Sequence, residues 1–273
     1  MYIGSCTCSG LLSPCKGSAM RAYPSRFYDR YFVGVEGDVD FYVGQFHSGN
    51  GAILEVGCGS GRITLPLARA GAEVVGLDID DDLLSLARAK LAQEDRATQG
   101  RVVFVEADMT DFDIGRRFAQ IHIPYRTFQH LLTPIDQINA LECLADHLEE
   151  GGLLVFDTFD PLAEFVDDGF NAPLRRDTDF IDGQTGHQVV VWYSRDVDPD
   201  EQIFEQEMVF EEVDTAGKSL ARTFARLTLR WTSRWEMEHL LAGCGFAVET
   251  LRGDFSQGVY PGYGNQVWVV RKE

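Results

Sequence analysis

Three closely spaced glycines, Gly57, Gly59 and Gly61, follow an apolar run at residues 53–56. Such a run is typical of a buried parallel strand, and the glycines allow a tight turn that presents backbone N–H groups and a helix N-terminus to a ligand. Roughly twenty residues beyond the first glycine, Asp78 ends a second apolar run, where a carboxylate can accept hydrogen bonds from both hydroxyls of an adenosine ribose. The spacing therefore predicts a nucleoside-binding site.

A second carboxylate, that of Asp108, also lies just after a predicted strand. Asp108 and Met109 follow the strand predicted at residues 102–105. In a doubly wound sheet, ligands bind outside the carboxyl ends of the strands. We therefore expect Asp78 and Asp108 to converge on one crevice.

The glycine pattern matches the dinucleotide-binding motif of dehydrogenases, G-x-G-x-x-G, only in part. Arg62 occupies the position of the third glycine of that motif. A nicotinamide oxidoreductase is therefore a disfavoured alternative from another enzyme class.

Composition limits the classes of partner. The 273 residues carry a formal net charge of −19, with an isoelectric point near 4.6. A field of that sign repels phosphate backbones and anionic membrane surfaces, so we expect neither a nucleic-acid nor a membrane partner. Because the sequence shows no apolar segment of membrane-spanning length and no secretory signal at its start, we expect a cytoplasmic location.

The order of the predicted elements indicates an α/β fold. Strands and helices alternate over residues 53–157, which argues for a doubly wound, Rossmann-like sheet. From residue 170 to 231 the pattern changes to polar and apolar alternation, at 187–197, 202–213 and 221–231, with hairpin signals at 198–200 and 214–217. We predict a seven-stranded sheet with an antiparallel β insertion after strand five.

Two tyrosines and a histidine are candidates for chemistry near the crevice. Aromatic spacings of three and four predict a helix at residues 21–32 that contains Tyr28, and a second helix at 38–46 contains Tyr42. A phenol can pack its ring while its hydroxyl bonds a ligand. His130 follows predicted strand four, and an imidazole titrates near neutrality, as a general base requires.

The glycine spacing, Asp78, Asp108-Met109 and the acidic Glu55 two residues before the first glycine together resemble the class I S-adenosylmethionine-dependent methyltransferases. The resemblance covers about residues 21–272. It implies S-adenosyl-L-methionine as the cofactor, with S-adenosyl-L-homocysteine as its product.

The resemblance also implies roles for individual residues. Glu55 and the backbone of the glycine turn would hold the methionine moiety, Asp78 would bind the ribose hydroxyls, and Ile79 would pack on adenine. Asp108 would accept a hydrogen bond from the adenine amino group, and Met109 would donate its backbone N–H. The cofactor-binding residues predicted in this way are Tyr42, Glu55, Gly57, Cys58, Gly59, Gly61, Asp78, Ile79, Asp108, Met109 and Ile123.

Within that class, the chain is similar to small-molecule N-methyltransferases, in particular the dimethyltransferases of amino sugars and glycine N-methyltransferase. The amino-sugar enzymes have a histidine followed by leucine after strand four, and a tyrosine followed by aspartate in the first helix. His130 and Tyr28 occupy those positions here. Ala119 departs from the aspartate that the family often has, and the insertion shows no acceptor motif.

The resemblance divides the chain into four regions. The predicted regions are a flexible leader at 1–20, lid helices with the cofactor-binding core at 21–169, the insertion on the acceptor side at 170–231, and a C-terminal helix with a closing β-hairpin at 232–273. The leader holds Cys6, Cys8 and Cys15 with neither a nearby histidine nor a fourth ligand, so no metal site is predicted.

These inferences predict a methyltransferase that acts on a small-molecule acceptor, most simply an amine, as a monomer or homodimer. An amine must be neutral to attack, so His130 would serve as base or orienter, with Tyr28 and Tyr42 shaping the site. Alternatively, His130 only packs against the following helix. The functional alternatives are a small-molecule O-methyltransferase and a cofactor-binding protein without catalysis.

Overall fold

The computed structural model describes residues 22–47, 51–161 and 172–273. The predicted leader at 1–20, with its three cysteines, lies outside the described residues. The helices are α1 (Ser25–Tyr31), α2 (Asp38–Gln45), α3 (Thr64–Arg69), α4 (Asp81–Leu91), α5 (Arg96–Gln99), α6 (Pro134–Asp146) and α7 (Arg234–Gly243). The strands are β1 (Ile53–Val56), β2 (Val74–Asp78), β3 (Val102–Glu106), β4 (Phe118–Ile123), β5 (Leu148–Asp160), β6 (Ala172–Ile181), β7 (Gln188–Asp198), β8 (Ile203–Val213), β9 (Ser219–Arg230), β10 (Phe246–Arg252) and β11 (Gly264–Lys272). None of these helices has the length and apolar character of a membrane span.

Seven strands form one sheet in the order β10-β11-β5-β4-β1-β2-β3. The first five strands along the chain pair in parallel, whereas β11 runs antiparallel to both β5 and β10. The four residues of β1 are all buried, as the apolar run at 53–56 predicted for a central strand. The sheet confirms the predicted Rossmann-like fold.

A second sheet is inserted between β5 and α7. It is an antiparallel meander in the order β6-β7-β8-β9, which confirms the predicted insertion after strand five. The sequence indicated three of its strands and did not indicate β6. That strand lies at the edge of the sheet with its side chains from Pro173 to Asp179 exposed, so it lacks the buried alternation on which the prediction relied.

Helix α1 joins the two sheets. The ring of Phe27 stacks on Phe210 of β8 with centroids 5.2 Å apart, and Arg26 binds the buried carboxylates of Asp182 and Glu212. At its other side, Asp29 accepts hydrogen bonds from Ser60 in the glycine turn and from Lys90 of α4, and those two bonds fix α1 across the sheet edge.

The sequence predicts Gly151 as the terminator of the helix that starts at Pro134, a Ser233–Glu236 capping box, and Asp80 as a helix cap. The first prediction is wrong, because α6 ends at Asp146 and Gly151 lies within β5 at φ +73°. Ser233 is the N-cap residue of α7, but its side chain makes no capping bond, and the Glu236 carboxylate is bound by the buried Arg230, at 2.7 Å. By contrast, Asp80 caps α4 as predicted and accepts from two backbone N–H groups.

The glycine turn is tied to α2 by a largely buried ion pair. Arg62 donates to both carboxylate oxygens of Asp38, at 2.8 and 2.7 Å, and the Asp38 side chain is 3% exposed. Removal of one partner from such a pair leaves the other charge buried without compensation.

We therefore expect Asp38→Ala to lower the free energy of unfolding by about 2 kcal/mol. Glu238→Ala is the control, because its pairing with Arg234 is a more exposed contact within one helix, worth about 0.5 kcal/mol or less. Urea denaturation of the three proteins measures both values. Equal losses in the two variants would contradict the importance of the Arg62 pair.

Candidate active site

A cavity of about 660 Å³ opens at the carboxyl edge of the first four strands. That volume lies within the range of roughly 300–1,000 Å³ that is usual for small-molecule sites. The structure brings most of the predicted site residues together on its wall. Those that line it are Tyr28, Glu55, Gly57, Cys58, Asp78, Ile79, Asp108, Met109 and His130.

Two predicted cofactor residues lie behind the cavity. Tyr42 is fully buried, and its hydroxyl donates to Oδ1 of Asp157 at 2.6 Å, so its phenol serves the interior and does not line the cavity. Ile123 is also fully buried, within the main apolar core. Both were predicted as direct contacts because sequence position cannot show which face of an element a side chain occupies.

Two of the predicted glycines support the turn without lining the cavity. The backbone N–H of Gly59 donates to Oδ2 of Asp78 at 2.7 Å. Gly61 faces Leu65 and Ala87, which a Cβ at this position would meet at 3.5 and 3.6 Å, so it lies on the α3–α4 side.

Gly57 must be glycine for two reasons. Its φ is +71°, and a Cβ there would lie 2.2 Å from Cγ2 of Thr127. The N–H groups of Gly57 and Cys58 both donate to the Leu77 carbonyl, at 2.7 and 3.0 Å. The turn is therefore bonded to the end of β2 and pressed against the segment after β4.

Glu55 places a carboxyl group in the floor of the cavity. It is 1% exposed, and burial raises its pKa to about 8, although the Thr64 hydroxyl and the Arg62 charge both act to lower it. The group is thus poised between its neutral and ionised forms at neutral pH. A cation brought beside it would favour ionisation.

The two aspartates at the strand ends are held differently. Asp78 is 8% exposed and accepts from the N–H of Gly59 and, at 2.9 Å, from that of Asp80. Burial raises the pKa of Asp78, while those backbone bonds act to lower it. Asp108, which follows the neighbouring strand β3, is exposed, and its side chain accepts from the backbone N–H and the hydroxyl of Thr110, both on Oδ1.

His130 is hydrogen bonded to a residue that the sequence did not single out. Its Nε2 lies 2.6 Å from the hydroxyl of Tyr23, which also lines the cavity. Burial lowers the pKa of His130 to about 4, so the imidazole is neutral at neutral pH. Burial also raises the pKa of the Tyr23 and Tyr28 phenols, which stay protonated.

The sequence places Tyr23 inside the helix predicted at residues 21–32, whereas α1 begins at Ser25, after Pro24. The helical spacing of the aromatic residues therefore gave it no distinct orientation. Pro24, the N-cap residue of α1, has extended backbone with φ −73° and ψ 105°, so Tyr23 does not continue the helix. A Tyr-Pro pair just before a lid helix is the signal that could have drawn attention to it.

Among the described residues, no group of three or more histidine, cysteine, aspartate or glutamate side chains could hold a metal ion.

The chain is similar to known proteins that are described as methyltransferases. Residues 53–152 match a family described as a methyltransferase domain. The chain is 26% identical over 211 residues to a putative methyltransferase, YqeM, of Bacillus subtilis, and this match covers 76% of the chain and 77% of that protein. It is 28% identical over 127 residues to a dTDP-3-amino-3,4,6-trideoxy-α-D-glucopyranose N,N-dimethyltransferase of Streptomyces venezuelae, over 46% of the chain and 50% of that enzyme.

The fold is shared with solved structures at lower sequence identity. The sugar N-methyltransferase KedS8 of Streptoalloteichus aligns with a TM-score of 0.72 and 21% identity over 100% of this chain and 99% of its own. The CcbJ methyltransferase of Streptomyces caelestis aligns with a TM-score of 0.75 and 20% identity over 92% and 98%. Residues 53–152 are thus a methyltransferase domain, with the cavity at the carboxyl edge of its strands, and the fold is one that these solved methyltransferases share.

Proposed function

We propose that this methyltransferase acts on a small molecule and that the atom it methylates is an amine nitrogen. The observation that carries the proposal is the 2.6 Å bond between Tyr23 and His130 on the wall of the cavity that also holds Asp78 and Asp108. The relatives named as N,N-dimethyltransferases of amino sugars and as an N-terminal methyltransferase of cypemycin favour nitrogen.

The cavity residues fit the cofactor. The carboxyl of Glu55 suits a cationic amino acid head group, and the Asp78 carboxylate suits the ribose hydroxyls. Ile79 is an apolar side chain that is 68% exposed beside Met109, and together they offer an apolar surface to the adenine ring. When bound, S-adenosylmethionine supplies an electrophilic methyl carbon on a sulfonium.

The acceptor side consists of Tyr23, Tyr28, Tyr125 and His130. Methyl transfer is an in-line displacement, so these residues have to align a neutral nitrogen and exclude water. With a pKa of about 4, His130 does not keep a proton at neutral pH, and we assign it orientation of the acceptor rather than storage of its proton. Tyr23 fixes the imidazole ring through its hydroxyl.

We expect His130→Ala to lower kcat about 30-fold while the Kd of S-adenosylmethionine changes by less than about threefold, because alignment is lost and the nucleoside contacts remain. Tyr23→Phe should give a smaller loss, since the ring stays but its anchor is gone. His239→Ala, an exposed histidine of α7, is the matched control. The assay counts S-adenosylhomocysteine formed with a panel of amino sugars, amino acids, polyketides and phenols.

Two results would contradict this assignment. Unchanged turnover in His130→Ala would remove the histidine from the mechanism. Methylation of phenols alone would favour an O-methyltransferase, a function that the chain's relatives in protoporphyrin and ubiquinone methylation also carry in their names.

We expect Asp78→Asn to weaken S-adenosylmethionine binding at least about tenfold, because the amide cannot accept from both ribose hydroxyls while also serving two backbone N–H groups. Asp111→Asn is the control, since it removes the same charge from an exposed site outside the cavity. Isothermal titration calorimetry measures the Kd. An equal loss in both variants would indicate a general charge effect and not a ribose contact.

The pKa of Glu55 predicts a pH dependence of cofactor binding. An ammonium group beside Glu55 lowers its pKa below the value of about 8 in the free protein, so binding below that pH releases a proton and affinity rises as the pH is raised towards 8. Of the two charged groups that act on Glu55, Arg62 stays ionised throughout this range and acts to lower the pKa of Glu55, whereas the charge of Asp78 acts to raise it. Glu55→Gln should flatten the dependence. Calorimetry in buffers of different ionisation enthalpy measures the released proton, and a variant that still releases it would refute the assignment to Glu55.

A further inference from the structure

The chain turns sharply after β4, and two consecutive residues of that turn have left-handed backbone. Tyr125 has φ +56° and Arg126 has φ +63°. Residues with side chains adopt this conformation at an energetic cost, so the surrounding structure has to hold them there.

Asp157 of β5 holds the turn. Its Oδ1 accepts from the N–H of Tyr125 at 2.8 Å, and its Oδ2 accepts from the N–H of Arg126 at 3.1 Å. Successive N–H groups in such a turn form an anion-binding concavity, and here the anion is a carboxylate of the same chain. Tyr42 donates a third bond to Oδ1. Burial raises the pKa of Asp157 to about 6, which leaves it ionised at neutral pH.

The turn determines where the acceptor side lies. A 3-10 helix, Thr127–His130, starts directly after Arg126 and ends with the histidine of the cavity. Thr127 presses on Gly57 of the cofactor turn, and Tyr125 lines the cavity itself. Asp157 is 2% exposed and does not line the cavity, so it acts on the site only through this segment.

We propose that Asp157 is a positioning residue for methyl transfer, which holds the Tyr125–Arg126 turn in its left-handed conformation and thereby places Tyr125 and His130 at the acceptor. This inference rests on the proposed function, because the groups that it positions are the ones assigned to the acceptor. Tyr42 was predicted from the sequence as a cofactor contact, but its hydroxyl instead donates to Asp157 and helps to hold that carboxylate in place.

A double-mutant cycle tests the proposal. Asp157→Ala is expected to lower kcat about 30-fold with a Kd for S-adenosylmethionine within about threefold of wild type, because a shift of about 1 Å in a positioned group costs that much. The Arg126 charge acts on Asp157, so the substitution is compared in Arg126→Ala and Arg126→Gly backgrounds, which both lack that side chain. Glycine adopts left-handed backbone freely, so the loss of kcat should be about fivefold smaller in the glycine background. A merely structural role for Asp157 gives equal losses in both backgrounds and overturns the proposal.

The control is Asp254→Ala. Asp254 also accepts from two backbone N–H groups, those of Ser256 and Gly258, but in a turn away from the cavity. Its removal should leave kcat within about twofold of wild type. A comparable loss of kcat in this control would show that any disturbed turn lowers activity, and would count against Asp157.

The test still decides the role of Asp157 if a variant does not fold or if the acceptor is not an amine. If Asp157→Ala does not fold, the cycle is measured with Asp157→Asn, whose carbonyl keeps one N–H bond while its amide opposes the other. The assay uses whichever acceptor wild type methylates. Methylation of phenols alone would therefore contradict the amine proposal, while the coupling between Asp157 and Arg126 would still decide the positioning role.

Discussion

The site depends on carboxylates that satisfy backbone N–H groups where parallel strands end. In the pairing of β1 with β2, Val56 lies opposite Leu77, and the next residue, Asp78, binds the N–H of Gly59 in the turn after β1. In the pairing of β4 with β5, Ile123 lies opposite Phe156, and the next residue is Asp157, which binds the turn after β4. A buried N–H without a partner is costly, so each aspartate stabilises the turn of its neighbouring strand.

The two turns face each other, and this contact joins the cofactor side to the acceptor side. Thr127, just after the second turn, occupies the space that a side chain on Gly57 would need. Gln129 extends the connection, since its amide bonds the backbone of Phe159 in β5 and the carbonyl of Arg230 in β9. The inserted sheet, the main sheet and the cavity wall are therefore bonded through one short segment.

The sequence predicted the sheet, the insertion and nine of the residues that line the cavity, because these depend on patterns with a local cause. Alternation, glycine spacing and carboxylates at strand ends each follow from the geometry of a parallel sheet. The place of Tyr23 and the partner of the Tyr42 hydroxyl could not be predicted in this way. Both depend on how the N-terminal segment packs across the sheet edge. That packing is a long-range contact, and the periodicity of the sequence indicates only local structure. β6 was missed for the complementary reason, since an exposed edge strand has little burial pattern.

Asp78 and Asp157 differ in whether their carboxylates face the cavity. Asp78 lines the cavity while it holds the glycine turn, so the bonds that we propose to the ribose and the bonds to the turn would use the same two oxygens. Cofactor affinity and the geometry of that turn therefore cannot vary independently. Asp157 lies behind the wall, with its oxygens bonded to Tyr42 and to the turn. Asp157 can therefore hold the turn after β4 without contacting any ligand. Residues on the acceptor wall can then differ in sequence while that turn keeps its shape.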